Sequence, residues 1–184
     1  MHVFHLADDT PLPATARGGC WLIGNFDGVH KGHQAMLAAV AAQYGAPKVL
    51  TFTPHPRLFF GQPLQLLSTE AQKQALLEAA GVAVLASRQF DAQLASYTAE
   101  AFIERVLLQQ LGAEGVAVGA DFRFGKGRAG DVALLQKHLK VHVFQPFCDE
   151  GGQPYSSSRI RAALAAGDVV LAEKLLGRSL KPAI

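Results

Sequence analysis

The sequence is poor in cysteine, modest in charge and without a long apolar run. Its two cysteines, Cys20 and Cys148, stand far apart in a chain of 184 residues and form no C-x-x-C pair. They read as reduced thiols, as in a cytoplasmic protein, and not as a disulfide framework or a zinc site. Charged residues make up 17% of the chain, with 17 Lys and Arg against 15 Asp and Glu and a formal net charge of +2. So small an excess is no electrostatic footprint for nucleic acid or a membrane surface, and neither is expected as a partner. No apolar run approaches the roughly 20 residues needed to cross a bilayer. The N-terminus, Met1 to Thr10, has neither the basic nor the apolar region of a secretory signal. There is no internal repeat and no low-complexity block. What the sequence does have is 49% apolar residues, enough to fill a core and too many for a disordered chain. Residues 1–184 fit a single domain.

Short β-rich runs alternate with longer amphipathic ones. Cys20-Trp-Leu-Ile-Gly24 reads as a buried strand, and Lys31 to Tyr44 as a helix with Met36, Leu37, Val40 and Ala41 on one face. Lys48 to Phe52 is strand-like and is stopped by Pro54 and Pro56. Thr69 to Ala80 opens with a Thr69-x-x-Gln72 capping box and ends at Gly81. Strands are expected at Val82–Leu85 and Gly115–Val118, around a helix from Thr98 to Leu111 that turns Phe102, Ile103, Val106 and Leu107 inward. A short helix over Asp131–Lys140, a strand over Val141–Phe144 and two Ala- and Leu-rich helices, Ser157–Ala166 and Asp168–Leu176, complete the chain. Strands linked by crossover helices predict an α/β fold, a parallel sheet with helices on both faces. Ligands in such sheets bind beyond the carboxyl ends of the strands, at the switch point.

Four polar or glycine-rich segments fall in those places. In Gly24-Asn-Phe-Asp-Gly-Val-His-Lys-Gly-His33, His30 and His33 share a helix face where N–H groups favour an anion. Ordinary surface histidines, or a metal pair with Asp27 as third ligand, are the competing readings of that segment. In Tyr155-Ser-Ser-Ser-Arg-Ile-Arg161, hydroxyls, free N–H groups and guanidinium groups make a phosphate cradle by chemical type, against a simple serine cap with solvated arginines. Gly119-Ala-Asp-Phe-Arg-Phe-Gly-Lys-Gly-Arg-Ala-Gly130 contains a formal G-x-G-x-x-G, but Asp121-Phe-Arg-Phe124 separates its glycines from the strand, so it is not a dinucleotide fingerprint. Nor does Lys126 have the spacing or the following hydroxyl of a P-loop. Phe122 and Phe124 there read as core plugs or as the floor of a pocket for an aromatic ligand. Thr51-Phe-Thr-Pro-His-Pro-Arg-Leu-Phe-Phe60 is a proline-stiffened strand end, and no G-x-S-x-G supplies a serine nucleophile for His30 or His55.

Taken together and in order, G-N-F-D-G-V-H-x-G-H, T-F-x-P-H-P, V-G-x-D-F-R-F-G-x-x-R-x-G-D, S-S-S-R-I-R and L-L-G-R resemble the FMN adenylyltransferase (FAD synthetase) module of the bacterial bifunctional riboflavin kinase/FAD synthetase family. The resemblance runs from about Gly24 to Arg178. It implies a Rossmann-like nucleotidyltransferase fold and transfer of AMP from ATP, with Mg²⁺, to FMN, giving FAD and pyrophosphate without a covalent intermediate. It implies that His30, His33 and Arg161 carry the chemistry. Gly24, Asn25, Phe26, Gly32, Asp121, Ser157 and Ser158 would then bind ATP, while Pro54, Pro56, Phe59, Asp121 and Phe122 line the FMN side. No dedicated metal ligand is implied. Ser158 stands where the family usually has Thr, and Thr53 where it often has an acid. The sequence stops at Ile184, soon after Arg178, so the riboflavin kinase domain of the family is expected to be absent and kinase activity with it.

Overall fold

A computed structural model describes residues 1–180. Six parallel strands form one sheet in the order β1-β4-β3-β2-β5-β6. They are β1 (His2–Leu6), β2 (Cys20–Ile23), β3 (Lys48–Thr53), β4 (Val84–Gln89), β5 (Gly115–Gly119) and β6 (Lys140–Phe144). The helices are α1 (Lys31–Tyr44), α2 (Pro56–Phe59), α3 (Glu70–Ala79), α4 (Ala92–Ser96), α5 (Ala99–Ala101), a π-helix (Phe102–Gln110), α6 (Val132–Gln136), α7 (Ser157–Ala165) and α8 (Val169–Leu176). A 3₁₀ turn spans Lys126–Arg128. From β2 the chain winds outward to β3 and β4, then crosses back to place β5 on the other side of β2. The switch point therefore lies between β2 and β5, as the alternating pattern predicts. No described helix is long and apolar enough to cross a membrane.

Period-2 alternation divides the strands between two cores. Trp21, Ile23, Leu50, Phe52, Val116 and Val118 pack beneath the π-helix and α6, whereas Leu22, Val49, Leu85 and Ala117 pack against α1 and α3. A third cluster joins α7 to α8 through Ile160, Ala163, Ala172, Leu175 and Leu176. The Thr69 capping box forms as expected, with Gln72 as its second partner.

Several expectations need correction. The N-terminus is strand β1, pairing with β4 at the sheet edge. Strand β4 starts later than expected and runs on to Gln89, carrying a fully buried Arg88. That charge is accommodated because its guanidinium donates to the Leu6 carbonyl at 3.1 Å and to Asp9 Oδ1 at 3.3 Å. The helix expected over Asp131–Lys140 is the single turn and a half of α6, because Lys140 is taken into β6. Thr98 to Leu111 is helical, but after α5 it widens into the π-helix, with Leu111 N–H donating to the Val106 carbonyl. Its buried residues are Phe102, Ile103, Val106, Leu107 and Gln110. The Gln110 amide then donates to the Asp8 and Thr10 carbonyls, at 2.5 and 3.0 Å.

Candidate functional site: a helix N-terminus beside an aromatic cleft

The turn from β2 into α1 is backbone under strain. Phe26 (φ 51°), Gly28 (φ 80°) and Val29 (φ 40°) all have positive φ, which costs most at the β-branched Val29. The surroundings over-determine this shape. Phe26 and Val29 are buried in the α1-side core, and a Cβ on Gly28 would meet Leu67 at 3.0 Å. Asp27 turns inward and is almost fully buried. Its Oδ1 accepts from the Leu67 and Ser68 N–H groups at 2.9 and 3.3 Å, and its Oδ2 pairs with the Arg161 guanidinium. The Ser157 hydroxyl donates to the Asp27 carbonyl at 2.9 Å, and Arg161 Nε donates to the Gln65 carbonyl at 2.7 Å. Four residues apart, Ser157 and Arg161 lie on one face of α7, so a single helix face docks on the turn.

His30 is the N-cap of α1, and its Nδ1 accepts from the His33 N–H at 3.4 Å. The two imidazoles stack with centroids 3.7 Å apart, and His33 also meets the Phe26 ring at 5.0 Å. Gly32 makes room, since a Cβ there would lie 3.1 Å from His30 ring atoms and from Tyr155 Cβ. Burial, aided by the nearby Arg178 cation, pushes the pKa of His30 down to about 4. Burial and the neighbouring His30 hold His33 well below the ordinary imidazole value. Both rings are therefore neutral near pH 7, and the bond accepted at Nδ1 leaves the His30 proton on Nε2. His33 Nδ1 is buried without a partner.

On the other side of the same sheet edge lies a cleft of about 530 Å³, a volume suited to a small ligand. Phe52, Phe60, Phe90, Phe102, Phe122 and Phe124 line it, drawn from the ends of β3, β4 and β5 and from the π-helix. Phe122 and Phe124 stack with centroids 5.5 Å apart. Arg57, Arg123, Lys126 and Arg128 bring cationic groups to its walls. Gly24, Asn25 and Asp121 also line it, so the cleft reaches the β2–α1 turn at the switch point. Two glycines hold its outer loop close to α5. A Cβ on Gly125 would meet Ala99 backbone atoms at 2.7 Å, and one on Gly130 would meet Phe124 at 2.6 Å. His55 lines the cleft too, with its pKa lowered first by burial, against an opposing pull from Asp27.

Most of the residues singled out in the sequence gather along this edge. His30, His33, Gly32, Ser157 and Arg161 surround the α1 N-terminus, while Pro56, Asp121 and Phe122 line the cleft. Phe26 is a buried packing residue against Gly24 and His33. Arg161 is engaged by Asp27 and Gln65, and Ser158 is exposed. The cap of α7 is Ser156, which accepts from the Arg159 N–H at 3.2 Å. Pro54 and Phe59 are exposed and lie outside the cleft lining, although Phe59 meets the cleft residue Phe90 edge to face at 5.3 Å. Asp27, open as a metal ligand in the sequence, is instead paired with Arg161. Among the described residues no three His, Cys, Asp or Glu side chains group as a metal site. Residue reasoning gave no role to Arg178, which the fold brings near His30, or to Phe90; Gly177-Arg178 directly after the last helix was the one available signal.

A family model for FAD synthetase matches residues 13–159. The bifunctional riboflavin kinase/FMN adenylyltransferase of Escherichia coli (strain K12) is 41% identical over 181 residues, covering 90% of this chain and 56% of its own length. The chain thus spans about half the length of that curated relative. Among solved structures, a macrolide-efflux protein from Streptococcus pneumoniae superimposes with a TM-score of 0.81 at 28% identity, over 97% of this chain and 62% of that one. The pantoate-beta-alanine ligase of Francisella tularensis, solved with beta-gamma ATP and beta-alanine, shares the fold with a TM-score of 0.51 at 18% identity, over 90% of this chain and 72% of that one. With its glycine- and histidine-bearing β2–α1 turn, its serine- and arginine-bearing α7 and a family match over most of its length, the chain belongs to the FAD synthetase family.

Proposed function

We propose that this chain transfers the AMP moiety of ATP to the phosphate of FMN, giving FAD and pyrophosphate, with Mg²⁺ entering as part of the ATP substrate. The observation that carries this reading is one sheet edge with two complementary halves. A helix N-terminus with paired imidazoles suits a phosphate chain, and an aromatic cleft beside it suits a planar ring system. They meet at Gly24, Asn25 and Asp121.

An oxygen of the acceptor phosphate attacks the α-phosphorus in line. One P–O bond forms as the bond from that phosphorus to the bridging oxygen breaks, and the electron pair leaves on pyrophosphate. Such a transfer needs positioning and charge neutralisation and no protein nucleophile. The His30 Nε2–H, the first N–H groups of α1, the exposed Ser158 hydroxyl and the Arg161 Nη1 left over from its bonds to Asp27 and Gln65 are the donors on hand. Asp27 is committed to Arg161, so the metal would be held chiefly by phosphate oxygens and water. Ser157, Ser158 and Arg161 are assigned to the triphosphate, and Pro54, Pro56, Phe59 and Phe122 to the flavin side. A cytoplasmic setting suits this chemistry and keeps Cys20 and Cys148 reduced.

The test is incubation with ATP, Mg²⁺ and FMN, followed by separation of flavins. FAD and pyrophosphate are expected in equal amounts, and folded protein that makes no FAD overturns the reading. His30→Ala and Arg161→Ala are each expected to lower turnover by about 10²–10³, the scale of losing one preorganised donor.

A further inference from the structure

Helix α8 ends on Gly177, whose left-handed conformation (φ 74°) stops the helix and turns the chain onto the first turn of α1. The approach is close. A Cβ on Gly177 would lie 3.2 Å from Lys31 Cγ, and the Gln34 side-chain amide donates to both Val29 and Leu176 carbonyls, at 2.8 and 3.0 Å. The next residue, Arg178, is thereby delivered to the same helix N-terminus that carries the paired histidines, close enough that its charge acts on His30. Its Nη1 is buried without a hydrogen-bond partner, and no ion pair holds it among the described residues. Burial pushes its pKa down, the mark of a cation held without compensation. His33 Nδ1 is the second orphaned polar atom in this corner. Other arginines with buried or half-buried side chains have a carboxylate partner: Arg88 with Asp9 (although its Nε is unpartnered), Arg159 with Asp149, and Arg161 with Asp27.

A buried guanidinium nitrogen with no acceptor, beside two neutral imidazoles and the free N–H groups of a helix, is a donor set suited to an anion. We infer that Arg178 is a ligand-binding residue that donates to the phosphate chain of the nucleotide, on the pyrophosphate that departs, and not to the acceptor phosphate. The side of the sheet decides between these two. Arg178 is seated on α1, across the switch-point edge from the aromatic cleft and its own set of cations. This assignment rests on the reading of ATP as substrate.

Calorimetric titrations of inorganic pyrophosphate, ATP with Mg²⁺ and FMN into the unaltered chain, Arg178→Met and Arg178→Lys test it. Arg178→Met is expected to lose about 10- to 100-fold in affinity for pyrophosphate and ATP, the range for a bond to a charged group, with FMN affinity unchanged. Arg178→Lys should recover part of the loss, because it keeps the charge and not the fork. In the FAD-forming reaction the KM for ATP should rise while that for FMN holds. Ligand-free Arg178→Met should unfold no earlier in urea than the unaltered chain, since a half-buried cation with an unpartnered nitrogen is replaced by an apolar chain, and pyrophosphate should protect it less. Unchanged pyrophosphate and ATP binding overturns the inference, as does a loss confined to FMN. Early unfolding of the ligand-free Met variant, or its failure to fold, with undiminished pyrophosphate binding by the Lys variant, makes Arg178 structural and overturns it too. An unaltered chain that binds pyrophosphate through Arg178 yet makes no FAD removes the adenylyl-transfer reading and keeps this one.

Discussion

His30 accepts a backbone hydrogen bond at Nδ1, stacks on His33 and is buried, so the fold stabilises its neutral form. Its pKa falls from an ordinary 6.5 to about 4, so between those values the unfolded chain binds the proton and the folded one does not. Stability should therefore be full above pH 6.5 and decline as the pH falls toward 4, by up to about 3 kcal/mol from this residue. Urea unfolding at a series of pH values checks this, and His30→Asn should flatten the decline. Asp27 is the second decisive residue. Asp27→Asn removes the carboxylate from a mostly buried ion pair and strands Arg161, at an expected cost of about 3 kcal/mol. A loss below about 1 kcal/mol in urea unfolding would show that solvent screens the pair.

At the scale of elements, glycines decide how closely the site's parts approach. A Gly→Ala exchange ordinarily strengthens a helix, by up to about 1 kcal/mol and by less in the first turn, where Gly32 stands. Gly32→Ala in α1 should not, because the new methyl meets a His30 ring already held between the helix turn and His33. The expected result is no gain in melting temperature and a fall in FAD formation of about tenfold or more, from the displaced imidazole. Gly125→Ala acts on the other half. With φ at 73° and Ala99 backbone atoms 2.7 Å from the new Cβ, neither the loop nor α5 can stay where it is. FMN affinity should drop sharply while pyrophosphate binding is retained, which fluorescence titration of the flavin and calorimetry would distinguish.

The same elements show where residue patterns suffice. The β2–α1 turn and α7 were legible because their chemistry is contiguous: glycines, histidines, serines and arginines within ten residues of one another. Strand β1 was not, since its partner β4 lies some eighty residues further on in the chain and supplies the pairing that makes it a strand. Arg88 hid the end of β4, because a charge inside a strand is tolerated only where Leu6 and Asp9 receive it. The π-helix was equally hidden, since its apolar spacing fits an α-helix and its bonds to the Asp8–Gly18 segment join residues about a hundred positions apart.

In the whole molecule, both half-sites stand on one rigid edge, so each ligand should stabilise the folded chain by itself. At a hundredfold excess over its dissociation constant, ATP with Mg²⁺ or FMN should add about 2.7 kcal/mol. For a domain of this size that raises the melting temperature by about 5–10 °C, measurable by calorimetry. A rise with ATP and none with FMN would detach the cleft from flavin binding.

The sequence by itself determined the α/β alternation, the switch-point turn and the residue types that suit a phosphate chain, because these depend on period, turn chemistry and near neighbours. Tertiary structure alone decided that Asp27 serves Arg161, 134 positions away, that six phenylalanines from separate segments share one cleft, and that Arg178, in no ion pair among the described residues, stands at the α1 N-terminus. Contacts of that kind join side chains through space, and nothing in their local spacing encodes the partner.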